Sequence, residues 1–80
     1  MNVIHEAAIA INLAEKSHPG LRGRLDVSHK YVHVTVWHGD LEVCKSASWE
    51  EIEAAKTNAV FAKVSMAVSE LTSMIQEEKQ

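Results

Sequence analysis

The segment from residue 31 to residue 37 alternates strictly between two kinds of side chain, and it constrains the fold more than any other part of the sequence. Its even positions are all valine, whereas its odd positions hold polar and aromatic side chains: Tyr31, His33, Thr35 and Trp37. A period of two is that of a β-strand whose two faces meet different surroundings. The sequence therefore predicts a strand over residues 31–37, with the valines together on one face.

Two further segments predict neighbouring strands. Residues 41–45 alternate again after His38, Gly39 and Asp40, which include the glycine and aspartate typical of a short hairpin turn. Upstream, residues 24–28 also alternate and run into a second candidate turn. We therefore expect an antiparallel meander of two strands, or of three if residues 24–28 also form a strand.

Helical patterns flank the meander on both sides. Apolar residues recur at helical spacing over residues 3–17, and Pro19 and Gly20 then end the pattern. Ser48 and Glu51 have the spacing of a capping box, which marks the start of a helix that continues over residues 49–78. The chain is thus expected to form a single α+β domain over residues 1–80, with an N-terminal helix, the meander and one long C-terminal helix.

The predicted C-terminal helix carries apolar residues on two sides. One stripe consists of Val60, Val64, Ala67, Val68, Leu71, Met74 and Ile75. A second sector, turned by roughly 120° around the helix, includes Ile52 and Met66. A helix of about 30 residues is roughly 45 Å long and a six-residue strand spans about 20 Å, so the chain's own sheet cannot cover it. We therefore predict that the stripe forms a homodimer interface; the alternative is that the first helix covers it within one monomer.

Composition and charge narrow the class of protein. The 80 residues are 46% hydrophobic and 24% charged, as in an ordinary globular protein. No apolar run approaches the ~20 residues of a membrane span, and the N-terminal residues lack the basic start of a signal peptide. The one cysteine, Cys44, cannot form an internal disulfide. We therefore expect a cytoplasmic protein with no membrane partner.

The sequence contains no residue pattern typical of a catalytic or metal site. Five histidines are many for this length, yet structural zinc sites take four ligands in compact pairs, usually with thiolates, and the chain has one cysteine. Cys44 could face His33 or His38 across the hairpin, but a lone cysteine in a strand is usually a small packing residue. We therefore predict no catalytic residues, no metal site, no cofactor and no enzymatic activity.

The residues most suggestive of binding lie between Gly20 and Trp37. Gly20 and Gly23 free the backbone to approach a ligand, and the neighbouring arginines supply planar donors suited to phosphate. The predicted ligand or partner site consists of Arg22, Arg24, His29, Lys30, Tyr31, His33 and Trp37. The alternative is a solvated loop, with the two aromatic side chains packed beneath a helix.

The predicted order of one helix, three strands and one helix resembles the topology of double-stranded RNA-binding domains, and the alanines between Ser48 and Leu71 are similar to the last helix of that family. The resemblance implies RNA binding through a lysine-rich start of this helix. Here the corresponding stretch reads Trp49-Glu50-Glu51-Ile52-Glu53, and glutamates would repel the phosphate backbone. Nucleic acid is therefore disfavoured as a partner.

Taken together, the patterns favour a small non-enzymatic homodimer that acts as an inhibitor or adaptor by binding another, unidentified protein. Arg24, Tyr31 and Trp37 are the expected anchors, because buried aromatic side chains and arginine usually dominate such contacts. One alternative is the capture of a small anionic ligand, such as a nucleotide, at a basic site shared between subunits. The other alternative is a nucleic-acid-binding regulator.

Overall fold

The structure is a computed structural model that describes residues 2–78. Its elements, in chain order, are α1 (Val3–Ser17), β1 (Arg22–Val27), β2 (Tyr31–His38), β3 (Leu41–Ser48), α2 (Trp49–Ala54) and α3 (Ala59–Glu78). An N-terminal helix, a three-stranded antiparallel sheet and a long C-terminal helix are present, which confirms the predicted α+β architecture. Within residues 2–78, no helix is both long and apolar enough to cross a membrane.

All three strands of the predicted meander form, and they lie in the sheet in the order β1-β2-β3. The first strand begins at Arg22 and ends at Val27, in place of the predicted range 24–28, and β3 continues past the predicted residue 45 to Ser48. Gly39 lies in the turn between β2 and β3 with a φ of 61°, as the tightest hairpin turns require. Local alternation and turn residues thus predicted the hairpin of β2 and β3, and the third strand that they left open is also present.

The prediction of one continuous helix over residues 49–78 is wrong, because this range holds two helices separated by an irregular segment at residues 55–58. α2 starts as predicted: the Ser48 hydroxyl accepts a hydrogen bond from the Glu51 N–H at 3.1 Å. The Glu51 carboxylate, however, pairs with the Lys63 ammonium at 3.3 Å. The acidic start of α2 is thereby joined to the first turns of α3.

Asn58 provides the physical reason for the break. Its side-chain oxygen accepts a hydrogen bond from the Phe61 N–H at 3.0 Å, so it caps α3. Its side-chain nitrogen donates to the Val3 carbonyl oxygen at 3.1 Å, at the start of α1. The Asn58 side chain thus caps α3 and also connects its start to the start of α1, near the N-terminus.

The inner side of the sheet packs against α1 and α3. The three valines of β2 are fully buried there, in a core that also includes Ile11 of α1, Leu21 and Leu71 of α3. The predicted grouping of the valines on one face of the strand therefore places them in the core. The odd positions of β2 point to the other side of the sheet.

The stripe predicted as a homodimer interface is covered within the chain. The side chains of Val60, Val64, Ala67 and Leu71 are 2% exposed or less, and Val68, Met74 and Ile75 are half-buried against the same core. The prediction of this stripe as the interface is wrong, because α3 has 20 residues and a length of about 30 Å, and because α1 lies beside it. The alternative, in which the first helix covers the stripe, describes the structure.

Strand β1 lies at one edge of the sheet, close to α1. A Cβ atom on Gly23 would lie 2.9 Å from the Cγ2 atom of Ile11, so only glycine allows this approach of strand and helix. The Gly23 N–H donates to the Glu15 carboxylate at 3.2 Å. This hydrogen bond satisfies a backbone donor on the open edge of the strand. Gly23 therefore serves packing between α1 and the sheet, where the sequence had suggested access for a ligand.

Candidate functional site

The side of the sheet that faces away from α1 and α3 gathers most of the predicted binding residues; we name it the open sheet face. Its side chains are Arg22, Arg24 and Asp26 from β1, Tyr31, His33, Thr35 and Trp37 from β2, and Glu42, Cys44, Ser46 and Ser48 from β3. Of the seven predicted binding residues, His29 and Lys30 lie elsewhere, in the turn between β1 and β2. Strand alternation predicted a common face for the three residues of β2, whereas the pairing of β1 with β2 adds Arg22 and Arg24 to it.

The aromatic and polar side chains of β2 run along the middle of the open sheet face. The ring centroids of Tyr31 and His33 are 5.9 Å apart, and Tyr31 is 45% exposed. Thr35 is only 6% exposed even on this side, and its hydroxyl donates to the sulfur of Cys44 at 3.6 Å. Trp37 is half-buried. The alternative in which Tyr31 and Trp37 pack beneath a helix is therefore wrong, because both helices of the core lie on the other side.

Charges of both signs border this aromatic row. The Arg24 guanidinium pairs with the Asp26 carboxylate at 3.1 Å, and both groups are exposed. At one end of the face, Trp37 stands between Arg22 on β1 and Glu42 on β3, as the strand register shows. The open sheet face thus carries two arginines and two carboxylates around an aromatic centre.

The basic residues do not converge on one point. Arg22 lies opposite Trp37, at one end of β2, and Lys30 lies in the turn before Tyr31, at the other end. At about 3.4 Å per residue these two ends are roughly 20 Å apart. Within one chain, the predicted cationic residues therefore form a dispersed row along the sheet.

A concavity of about 610 Å³ opens beside the turn between β1 and β2. Its lining comprises His29, Lys30, Tyr31, Ser46, Ser48, Trp49, Glu50 and Glu51. Trp49, which the binding prediction did not include, fixes the turn: its indole N–H donates to the Ser28 carbonyl oxygen at 2.7 Å. The lining has two glutamates and one lysine, so this concavity is not a cationic pocket.

The outer side of α1 and α3, here named the helical face, carries a second group of exposed apolar side chains. The exposed fractions are 45% for Ile9, 58% for Leu13, 46% for Phe61 and 52% for Met66. The first three line a groove of about 540 Å³ between the two helices. Helical periodicity in the sequence had singled out Met66 of this group, in the second apolar sector of the C-terminal helix, but not Phe61.

Other chemical groups are sparse in the part of the chain that the structure describes. Residues 2–78 bring together no group of three or more histidine, cysteine, aspartate or glutamate side chains that could hold a metal ion. Cys44 is an exposed free thiol on the open sheet face, where Thr35 donates to it. The open sheet face and the helical face are therefore the main candidates for a functional site.

The start of the long helix differs from the stretch that was compared with double-stranded RNA-binding domains. The glutamates at residues 50, 51 and 53 belong to α2, whereas the long helix starts at Ala59. The lysine in the first turns of α3 is Lys63, and it pairs with Glu51. A lysine-rich helix start is therefore missing from residues 59–63 as well, although for a different reason than the sequence suggested.

No protein-family model, no curated protein and no solved structure matches this chain.

Proposed function

We propose that the protein binds another protein through the open sheet face and acts as a non-enzymatic inhibitor or adaptor. The observation that supports this proposal is the composition of that face. Tyr31, His33 and Trp37 stand in a row on a strand, away from the core, with arginines beside them. Aromatic side chains and arginine are the residues that most often dominate protein interfaces.

The balance of charge favours a protein partner over a nucleic acid. A nucleic-acid surface neutralises phosphates with an excess of lysine and arginine. On the open sheet face Arg24 pairs with Asp26, and Glu42 stands in the same row as Arg22. The whole chain has a formal charge of -3. A protein surface with charges of both signs complements such a face better than a polyanion does.

The same geometry makes a small anionic ligand the weaker alternative. Such a ligand needs several cationic donors within a few ångströms of one another. Arg22 and Lys30 lie at opposite ends of β2, and the concavity next to Lys30 also contains Glu50 and Glu51. Arg22 and Arg24 lie near each other on β1, but Arg24 pairs with Asp26 at 3.1 Å, so a nucleotide site would depend on a second subunit for further cations.

Paired alanine variants test the proposal. Tyr31→Ala and Phe61→Ala remove rings of nearly equal exposure, 45% and 46%, from opposite sides of the molecule. Arg24→Ala and Lys16→Ala remove exposed cations in the same way. The partners would be recovered from the source cells by affinity purification with quantitative mass spectrometry, and the dissociation constant per site would then be measured with the purified partner. We expect Tyr31→Ala and Arg24→Ala each to weaken binding at least about tenfold.

The two control variants, Phe61→Ala and Lys16→Ala, should retain the affinity per site. The proposal would be contradicted if all four variants bound the same partners as strongly as the original chain. A thermal shift of several degrees with millimolar nucleotide would instead support the anionic-ligand alternative, because a ligand that binds the native state stabilises it by mass action.

A further inference from the structure

The helical face exposes large apolar side chains of both α1 and α3. Ile9, Leu13, Phe61 and Met66 are each about half exposed. Side chains of this size leave roughly 100 Å² each in water, so the three beside the groove, Ile9, Leu13 and Phe61, together expose about 300 Å². This is the size of the largest apolar patch on a typical monomer, and such a patch is often functional. A groove of about 540 Å³ connects three of the four.

The solvent side of α3 is also uncharged over most of its length. Between Ala59 and Gln76 the charged residues of α3 are Lys63 and Glu70. Both are directed away from the groove: Lys63 pairs with Glu51 of α2, and Glu70 pairs with Lys45 of β3 at 2.7 Å. A helix whose outer side stays in water normally carries charged residues there.

We infer that the helical face docks a second copy of this chain. In a two-fold symmetric interface, each residue near the axis meets the same residue of the other copy, so that like charges would repel one another. On the α3 side of the groove the lining residues are uncharged, so they avoid that repulsion near the axis. The exposed cation of α1, Lys16, lies away from the axis in a dimer built on the two α3 helices. A partner of different sequence could place opposite charges across the interface and would not require an uncharged surface.

The shape of the helical face supports the same occupant. Phe61, Ile9 and Leu13 are large and project beside the groove, whereas Ala10, Ala14 and Ser65 in its lining are small. Two copies packed with antiparallel α3 helices can each insert Phe61 into the groove of the other. An isologous contact uses the same surface of both copies, so this surface needs both projecting side chains and a groove that receives them.

The available area is sufficient for a modest dimer. α1 has 15 residues and α3 has 20, so the helices are about 22 Å and 30 Å long, and helices pack at about 8–10 Å from each other. Their outer side thus covers roughly 500 Å² on each copy. Burial of both surfaces gives about 1,000 Å² in total, which is the lower limit for a specific interface.

Sedimentation equilibrium of the full chain from about 1 to 500 μM tests the inference. We expect a reversible monomer–dimer equilibrium within this range. Phe61→Glu should raise the dimer dissociation constant at least tenfold, because two carboxylates would enter one apolar contact. The matched control is Tyr31→Glu, which places the same charge at a residue of nearly equal exposure on the open sheet face and should leave the equilibrium unchanged.

Circular dichroism and thermal melting establish that each variant is folded, and Leu13→Glu replaces Phe61→Glu if the latter is not. A monomer throughout the concentration range would overturn the inference. So would a dimer that persists in both groove variants, or one that Tyr31→Glu dissociates, because the contact would then lie on another surface.

Discussion

At the scale of single residues, Gly23 is the position where the fold tolerates least change. A Cβ atom there would lie 2.9 Å from the Ile11 Cγ2 atom and 3.1 Å from the Val36 Cγ1 atom, and both side chains belong to the core. Gly23→Ala should therefore overpack the contact between α1 and the sheet and lower the free energy of unfolding by about 1–3 kcal/mol. Urea unfolding followed by circular dichroism measures this loss.

Gly39 provides the control for that experiment. Nothing lies within 4 Å of a Cβ atom placed on Gly39, but its φ of 61° disfavours a side chain. Gly39→Ala should thus cost about 1–2 kcal/mol through the backbone alone, and Gly39→Asn less, since asparagine tolerates this conformation. Equal stability of Gly23→Ala and the original chain would contradict the close packing described at that strand.

The two glycines also illustrate what a sequence can predict about single residues. Gly39 was correctly assigned to a turn, because its neighbours His38 and Asp40 and the two alternating segments are local signals. Gly23 was interpreted as an approach for a ligand, whereas it makes room for Ile11. That role depends on which helix lies over β1, and this is a tertiary contact that no local pattern contains.

At the scale of secondary structure elements, Asn58 joins the start of α3 to the start of α1. Asn58→Ala removes both the cap of α3 and the hydrogen bond to the Val3 carbonyl oxygen, and should lower the free energy of unfolding by about 1–2 kcal/mol. Asn58→Ser keeps a capping hydroxyl and should recover part of this loss. Urea unfolding of the three chains measures both steps, and an alanine variant as stable as the original would contradict the capping role.

Element boundaries show where local signals end. Ser48 caps a helix as its spacing with Glu51 indicated, and α1 spans the predicted residues 3–17. The break at residues 55–58 was missed because alanines on both sides continue the helical pattern through it. Asn58 is a typical N-cap residue, but its side chain forms its second hydrogen bond with Val3, which is far away in the sequence.

At the scale of the whole molecule, Leu71 tests which contacts hold the domain together. Its side chain is fully buried, whereas that of Met66, on the same helix, is 52% exposed. Leu71→Ala should lower the free energy of unfolding by about 2–5 kcal/mol at every protein concentration, because the contacts it loses lie within one chain. Met66→Ala should change stability of the monomer by less than about 0.5 kcal/mol.

Unfolding by guanidinium at two protein concentrations measures the effect of Leu71→Ala. A destabilisation that disappears on dilution would indicate that Leu71 is buried between subunits, as the sequence had suggested.

The wrong assignment of the apolar stripe as a dimer interface had a physical cause. Two apolar sectors on one helix predict that two other elements pack against it, but the sequence does not say which of these elements is α1. The architecture was predictable from periodicity. Alternation predicted that Tyr31, His33 and Trp37 share one face of a strand, but it did not predict that Arg22 lies on the same surface, because the predicted first strand began at residue 24.

All the core helices lie on one side of the sheet, and this one-sidedness has a consequence for valency. Two copies joined through α1 and α3 would have their sheets on the outside, with the open sheet faces pointing in opposite directions. Such a particle would be bivalent and could bridge two partner molecules or two sites on one assembly. Avidity could then raise the effective affinity by about 10²–10⁴ with no new contact, provided that the two sites can be reached together.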